Sequence, residues 1–182
     1  MALIVGLDPG FACLGYAVAD VKSDKIEVMG LGVLRTERSD KKRKVLASDD
    51  NLRRCKELVR LVLPLSEGAV AFCAESMSFP RSSSVAAKMA MCWGMMATLS
   101  EIREIPILQV SPKELKRKVC GNASASKIEV GEALDKRFDR SFGQELLAKG
   151  VTRSFHEHAY DALGTIVASL DGEFLQLLRR LE

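Results

Sequence analysis

Two short apolar runs each end on a carboxylate. Leu3–Leu7 (LIVGL) leads into Asp8, and Ala69–Ala74 (AVAFCA) leads into Glu75. Runs of this length, nearly continuous in apolar residues, predict strands covered on both faces. An acid at the tip of a covered strand is costly unless an amide, a basic side chain or a cation pairs with it. A chain that does this twice is therefore expected to fold as a layered α/β sheet with acids gathering along one edge.

The intervening pattern supports that layout. Cys13–Ala19 and Ile26–Leu34 read as further strands, joined through the VKSDK turn. Leu52, Cys55, Leu58, Val59 and Val62 recur at helical spacing, and Pro64 is expected to end that helix. SMSFPRSSS is a loop, followed by a helix over Val85–Leu99 that is apolar almost all round. Its Met89, Met91, Trp93, Met95 and Met96 are more large groups than one core needs, which predicts coverage by a second copy. Ile105–Val110 reads as a strand. Ser111, with Glu114 three positions on and Pro112 between, is a capping box that opens the next helix. A helix is expected from about Ala125 to Phe138, irregular chain over 139–155, a helix over His156–Leu170 and a short one over Glu173–Leu181.

Composition narrows the class. With 182 residues, 47% hydrophobic and 28% charged, one globular domain over 1–182 is expected. No apolar stretch has the length of a membrane span and the start lacks a basic leader, so the expectation is a cytoplasmic protein with no membrane partner. Five scattered cysteines without a CxxC pair read as reduced core residues. The net charge is only +3, yet residues 35–60 carry ten Lys/Arg against five Asp/Glu, and 111–127 is basic as well. Such concentration suits a polyanion, although a solvated surface is the commoner explanation of a charge run.

A third acidic cluster lies in FHEHAYDALG. On a helix His158 and Asp161 are three apart and share a face; Glu157, four from Asp161, can share it too, whereas His156 turns away. Asp8, Glu75 and Asp161 with His158 make a hard, oxygen-rich set with one nitrogen, suited to Mg²⁺ or Mn²⁺ and not to structural zinc. Two such ions about 4 Å apart clamp the attacking water and the leaving oxygen of a phosphodiester. Singly, each residue has a plainer explanation: Asp8 capping its turn, Glu75 pairing with Arg81, His158 as an ordinary hydrogen-bonded histidine. Three coincidences on two strand ends and one helix face are less economical than a shared site.

GLDPGFACLGYAV, AESMSF, SPKELKRKVCGNASASK and HAYDALG, in this order, resemble the RuvC family of Holliday-junction resolvases over nearly the whole chain. The resemblance implies an RNase H-like fold: a mixed five-stranded sheet, three strands antiparallel and two parallel, flanked by helices. It implies Asp8, Glu75, His158 and Asp161 as catalytic metal ligands for two divalent ions, Mg²⁺ or Mn²⁺, in each active site. Asp8 is expected to bridge the ions, with Glu75 on one and Asp161 and His158 on the other. Lys116 and Lys127, eleven residues apart, fall on the family's phosphate-contacting lysines. Lys113 and Lys118 extend that DNA-binding set, and Phe79 and Arg81 sit where a side chain would wedge into a junction. The implied partners are a four-way DNA junction, a second copy in a homodimer, and branch-migration machinery. The family's aromatic usually comes three positions after the second acid; here that position is Ser78, and Phe79 follows it. The segment before His158 is also longer than the family's.

Other classes fit less well. An actin- or hexokinase-like phosphate binder also has an acid after a strand, but needs a second nucleotide-binding lobe. A catalytically idle DNA-binding module would have lost at least one of the four ligands. A nuclease of the same fold acting on relaxed branched DNA or on RNA–DNA hybrids is the nearest rival.

Overall fold

The computed structural model describes residues 2–22, 25–40, 45–77 and 80–176. Five strands form one mixed sheet: β1 (Ala2–Asp8), β2 (Cys13–Val21), β3 (Ile26–Arg35), β4 (Ala69–Glu75) and β5 (Ile107–Val110), in the order β3-β2-β1-β4-β5. β1 runs antiparallel to β2, and β2 to β3, through tight connections. β4 lies parallel to β1 and β5 parallel to β4, each reached through a helical crossover. This is the mixed five-stranded arrangement expected from the sequence. Because β1 and β4 are parallel neighbours, Asp8 and Glu75 emerge at the same edge of the sheet.

Helices α1 (Ala47–Leu65) and α2 (Ser83–Arg103) cover one face. Their Leu58, Val62, Met96 and Leu99 close over Val5, Leu7 and Phe72. The opposite face carries α3 (Pro112–Cys120), α4 (Lys127–Phe138), α5 (Phe142–Ala148) and α6 (His156–Ser169). There Ile4, Ala17 and Leu31 meet Leu134, Phe142, Leu163 and Ile166. Full burial of side chains of this size contributes roughly 1.5–3 kcal/mol each, so both layers matter to stability. No helix among the described residues is long and apolar enough to cross a membrane.

α6 lies unusually close to the sheet, and two glycines permit it. A Cβ on Gly6 would stand 2.1 Å from the Ala162 carbonyl oxygen, and one on Gly15 would stand 1.9 Å from that of His158. Gly15 is also the residue opposite Asp8 in the β1–β2 ladder. The seat of α6, and with it the height of His158 over Asp8, depends on these missing side chains.

Several boundaries differ from the sequence reading. Pro64 lies inside α1, which runs to Leu65 with Ser66 as its C-cap; a proline tolerated this late stops the helix within a residue. Leu52 is 53% exposed, and Arg54 is buried on that helix instead. β5 begins only at Ile107, because Pro106 has no N–H to give; its carbonyl accepts from the Phe72 amide at 2.9 Å. The 139–155 segment is not irregular throughout. It contains α5 and a 3₁₀ turn over Arg153–Phe155. Asp135 Oδ1 accepts the Phe142 amide at 3.1 Å, which anchors the start of α5, and Phe142 and Leu146 are fully buried beneath it. The expected helix from Glu173 is helical over 173–176, and its remainder lies outside the described residues.

Candidate active site

The two covered strands and the first turns of α6 deliver their acids to one place. His158 Nδ1 donates to Asp8 Oδ2 at 2.6 Å, joining residues 150 positions apart. Asp8 gives that oxygen to the imidazole; no turn amide among the described residues donates to its side chain. Glu75 has neither an ion pair with Arg81 nor any other ion-pair partner among the described residues. Burial, then the neighbouring Asp8 and Asp161 charges, push its carboxyl up to about 7. Asp161 is raised by the same kind of burial, only partly offset by the Lys127 ammonium. The hydrogen bond to Asp8 raises His158 against the opposing effect of its burial. Burial first, and neighbouring acids after it, thus raise both Glu75 and Asp161.

A crevice of about 40 Å³ opens here, lined by Asp8, Pro9, Glu75, Ser76, Met89 and Trp93. Both strand-end acids, Asp8 and Glu75, border it. Met89 and Trp93 of α2 wall this crevice. Three carboxylates and one imidazole fit a hard divalent ion in donor chemistry. Among the described residues, however, no three His, Cys, Asp or Glu side chains already stand in ligand geometry around one point. The imidazole is turned onto Asp8, and the Lys127 ammonium lies 3.3 Å from Asp161 Oδ2.

Lys127 is the first residue of α4, fixed there by a reciprocal capping box between Ser126 and Glu129. Its ammonium also meets Glu157 Oε2 at 2.8 Å. Lys116 is close enough for its charge to lower the carboxyl of Glu75, as does that of Lys127. The other expected DNA contacts are more dispersed. Lys118 is paired with Asp171 at 2.6 Å, and Lys113 is exposed in the first turn of α3. Arg81 is exposed in the loop after β4, and Phe79 lies outside the described residues. His156 does turn away: its Nε2 bonds the Val151 carbonyl at 3.0 Å, beside a cleft of about 520 Å³ between α4 and the start of α6.

Sequence reasoning missed the device that holds the turn after Asp8. Arg54, 3% exposed, donates from Nε to Thr36 Oγ1 at 2.9 Å and from an Nη to the carbonyls of Phe11 and Thr36. Its guanidinium lies 4.6 Å over the Phe11 ring, and the Thr36 hydroxyl donates to the Phe11 carbonyl at 2.7 Å. The only sequence signal was a basic residue placed next to the apolar stripe of α1.

The model of the crossover junction endodeoxyribonuclease RuvC family matches residues 4–138. The chain belongs to the RuvC family. The RuvC of Natranaerobius thermophilus is 33% identical over 128 residues, covering 70% of this chain and 75% of that protein. The RuvC of Petrotoga mobilis is 27% identical over 164 residues, 90% of each. In fold, the chain is similar to Thermus thermophilus RuvC solved in complex with Holliday junction substrate, with 21% identity, a TM-score of 0.71 and 98% of both chains covered. It is also similar to the yeast mitochondrial Holliday junction resolvase Ydc2, with 13% identity and a TM-score of 0.64 over 99% of this chain and 82% of that one. RuvC proteins are divalent-metal-dependent endodeoxyribonucleases, which agrees with a site that gathers three carboxylates and an imidazole.

Proposed function

We propose that the chain is a structure-selective endonuclease that resolves four-way DNA junctions by paired, symmetric nicks in recombination and repair. Its active site is Asp8, Glu75, His158 and Asp161, and it uses two divalent ions, Mg²⁺ or Mn²⁺. The observation that carries this reading is the convergence of Asp8, Glu75 and Asp161, with His158 bonded to Asp8, at one sheet edge in a RuvC-family chain. The solved Thermus relative with Holliday junction substrate supports the choice of DNA substrate.

Each residue has a role it can fill. Asp8, at the end of β1, and Glu75, at the end of β4, flank the crevice and would hold the ions between them. Asp161 would supply a third carboxylate once Lys127 leaves it, and His158 an imidazole nitrogen. Bound divalent ions supply a lowered pKa for the attacking water and charge stabilisation at the leaving 3′ oxygen. Glu75 must give up its proton to serve as a ligand. Lys116 and Lys127 hold the phosphate backbone in register, which positions the strand without reading its sequence. Two symmetric nicks call for two such sites, hence a homodimer.

Incubation with labelled four-way junction, linear duplex and RNA–DNA hybrid, each with Mg²⁺ or Mn²⁺, tests the reading. Cleavage of the junction alone is expected. Cleavage of the hybrid with the junction left intact would overturn it.

A further inference from the structure

Glu157 lies outside the four ligands, although it neighbours His158 and shares a helix face with Asp161. Its carboxylate is engaged by Lys127, at 2.8 Å, while the same ammonium reaches Asp161 at 3.3 Å. Lys127 is thus a cation with two acids, one belonging to the ligand set and one not. The two acids are not equivalent. The Asp161 side chain is 13% exposed and sits at the carboxylate cluster, whereas that of Glu157 is 40% exposed at its rim. A divalent ion that recruits Asp161 removes one of the two contacts of Lys127 and leaves the other intact. An ammonium has three N–H donors, so with Glu157 holding one the others remain for substrate.

A carboxylate on a DNA-facing surface is a repulsive feature unless it is neutralised where it stands. Here it is neutralised by the lysine read as a phosphate contact, and it restricts a long, otherwise mobile side chain whose ordering would add an entropic cost at binding. We propose that Glu157 is a positioning residue for Lys127. It retains the ammonium at the rim of the cluster when Asp161 is given over to metal, so that Lys127 meets the DNA phosphate next to the site. This rests on the reading of the chain as a junction nuclease with Lys127 on phosphate.

The sign of one substitution separates positioning from bare electrostatics. Removing a negative charge beside DNA ordinarily tightens binding. If Glu157 acts through Lys127, Glu157→Gln should instead weaken junction binding in Ca²⁺, by about three- to tenfold. It should also lower the salt slope by about 0.9, the loss of one ordered phosphate contact. In turnover with Mn²⁺ the change should fall on KM, with kcat nearly unchanged. In a Lys127→Ala background the same substitution should have no weakening effect and should tighten binding. Tighter binding on Glu157→Gln in both backgrounds would overturn the proposal. So would equal weakening with and without Lys127, or a loss confined to kcat, which would make Glu157 a ligand. A wild-type chain that binds no junction at all would instead overturn the functional reading on which the proposal stands.

Discussion

Glu75→Gln should make the metal-free protein more stable while destroying its activity, and the gain should grow with pH. The Glu75 carboxyl is pushed from 4.5 up to about 7, first by burial and then by Asp8 and Asp161. A carboxyl raised on folding is favourable while protonated, so its contribution is fully present below pH 4.5 and is lost as the pH rises through about 7. At pH 8 the ionised form is the one the fold must accommodate. Each tenfold change in proton affinity corresponds to about 1.36 kcal/mol, so the upper bound on this cost is roughly 3.4 kcal/mol. Glu75 keeps some solvent contact, and screening reduces this to about 1–2 kcal/mol. Glutamine has nearly the same shape and no charge, so the variant recovers that amount at pH 8 and much less at pH 5. For a chain of this size, that is a rise in Tm of about 3–6 °C at pH 8. Thermal unfolding in EDTA at pH 5, 6, 7 and 8 measures it. The wild type, and not the variant, should then regain stability when Mn²⁺ is added. A variant that melts at or below the wild type at pH 8, or gains equally at every pH, would refute the reasoning that Glu75 carries the strain of the carboxylate cluster.

Asp8→Asn should abolish cleavage and leave junction binding in EDTA intact or tighter, seen as a retained gel shift. His158→Ala should cripple cleavage, His158→Asp should keep it with a shift in preference from Mn²⁺ toward Mg²⁺, and His156→Ala should be nearly silent in the same assay. Because Asp8 raises His158 and a ligand imidazole must be unprotonated, wild-type cleavage should fall as pH drops through that raised range. Arg54→Ala should cost about 2–4 kcal/mol in urea unfolding, since it removes several buried hydrogen bonds and the contact with Phe11.

The parts of this molecule that sequence disclosed are those with a periodic or terminal signature. Leu3–Leu7 and Ala69–Ala74 announced strands because each is apolar along its length, and Asp8 and Glu75 stood out because charge at such a terminus is expensive. His158 and Asp161 could be placed on one helix face by spacing alone. What stayed hidden depends on long-range packing. Gly6 and Gly15 carry no mark of what approaches them, yet the closeness of α6 rests on both. Arg54 looked like a surface residue, since nothing local shows that Thr36 and the Phe11 carbonyl wait for it. The pairing of Lys127 with Glu157 spans thirty positions and has no periodicity to reveal it. α5 escaped because it is only seven residues long, and its stability comes from burying Phe142 and Leu146 instead of from helical propensity.

The most direct test of the central claim is to map the nicks on a four-way junction labelled on each strand in turn, with wild-type protein and Mg²⁺ or Mn²⁺. The account predicts one nick in each of two opposed strands at symmetric positions, with 5′-phosphate and 3′-hydroxyl ends that DNA ligase reseals, and none in EDTA. Cleavage that persists in EDTA, or nicks scattered without symmetry along linear duplex and junction alike, would contradict it.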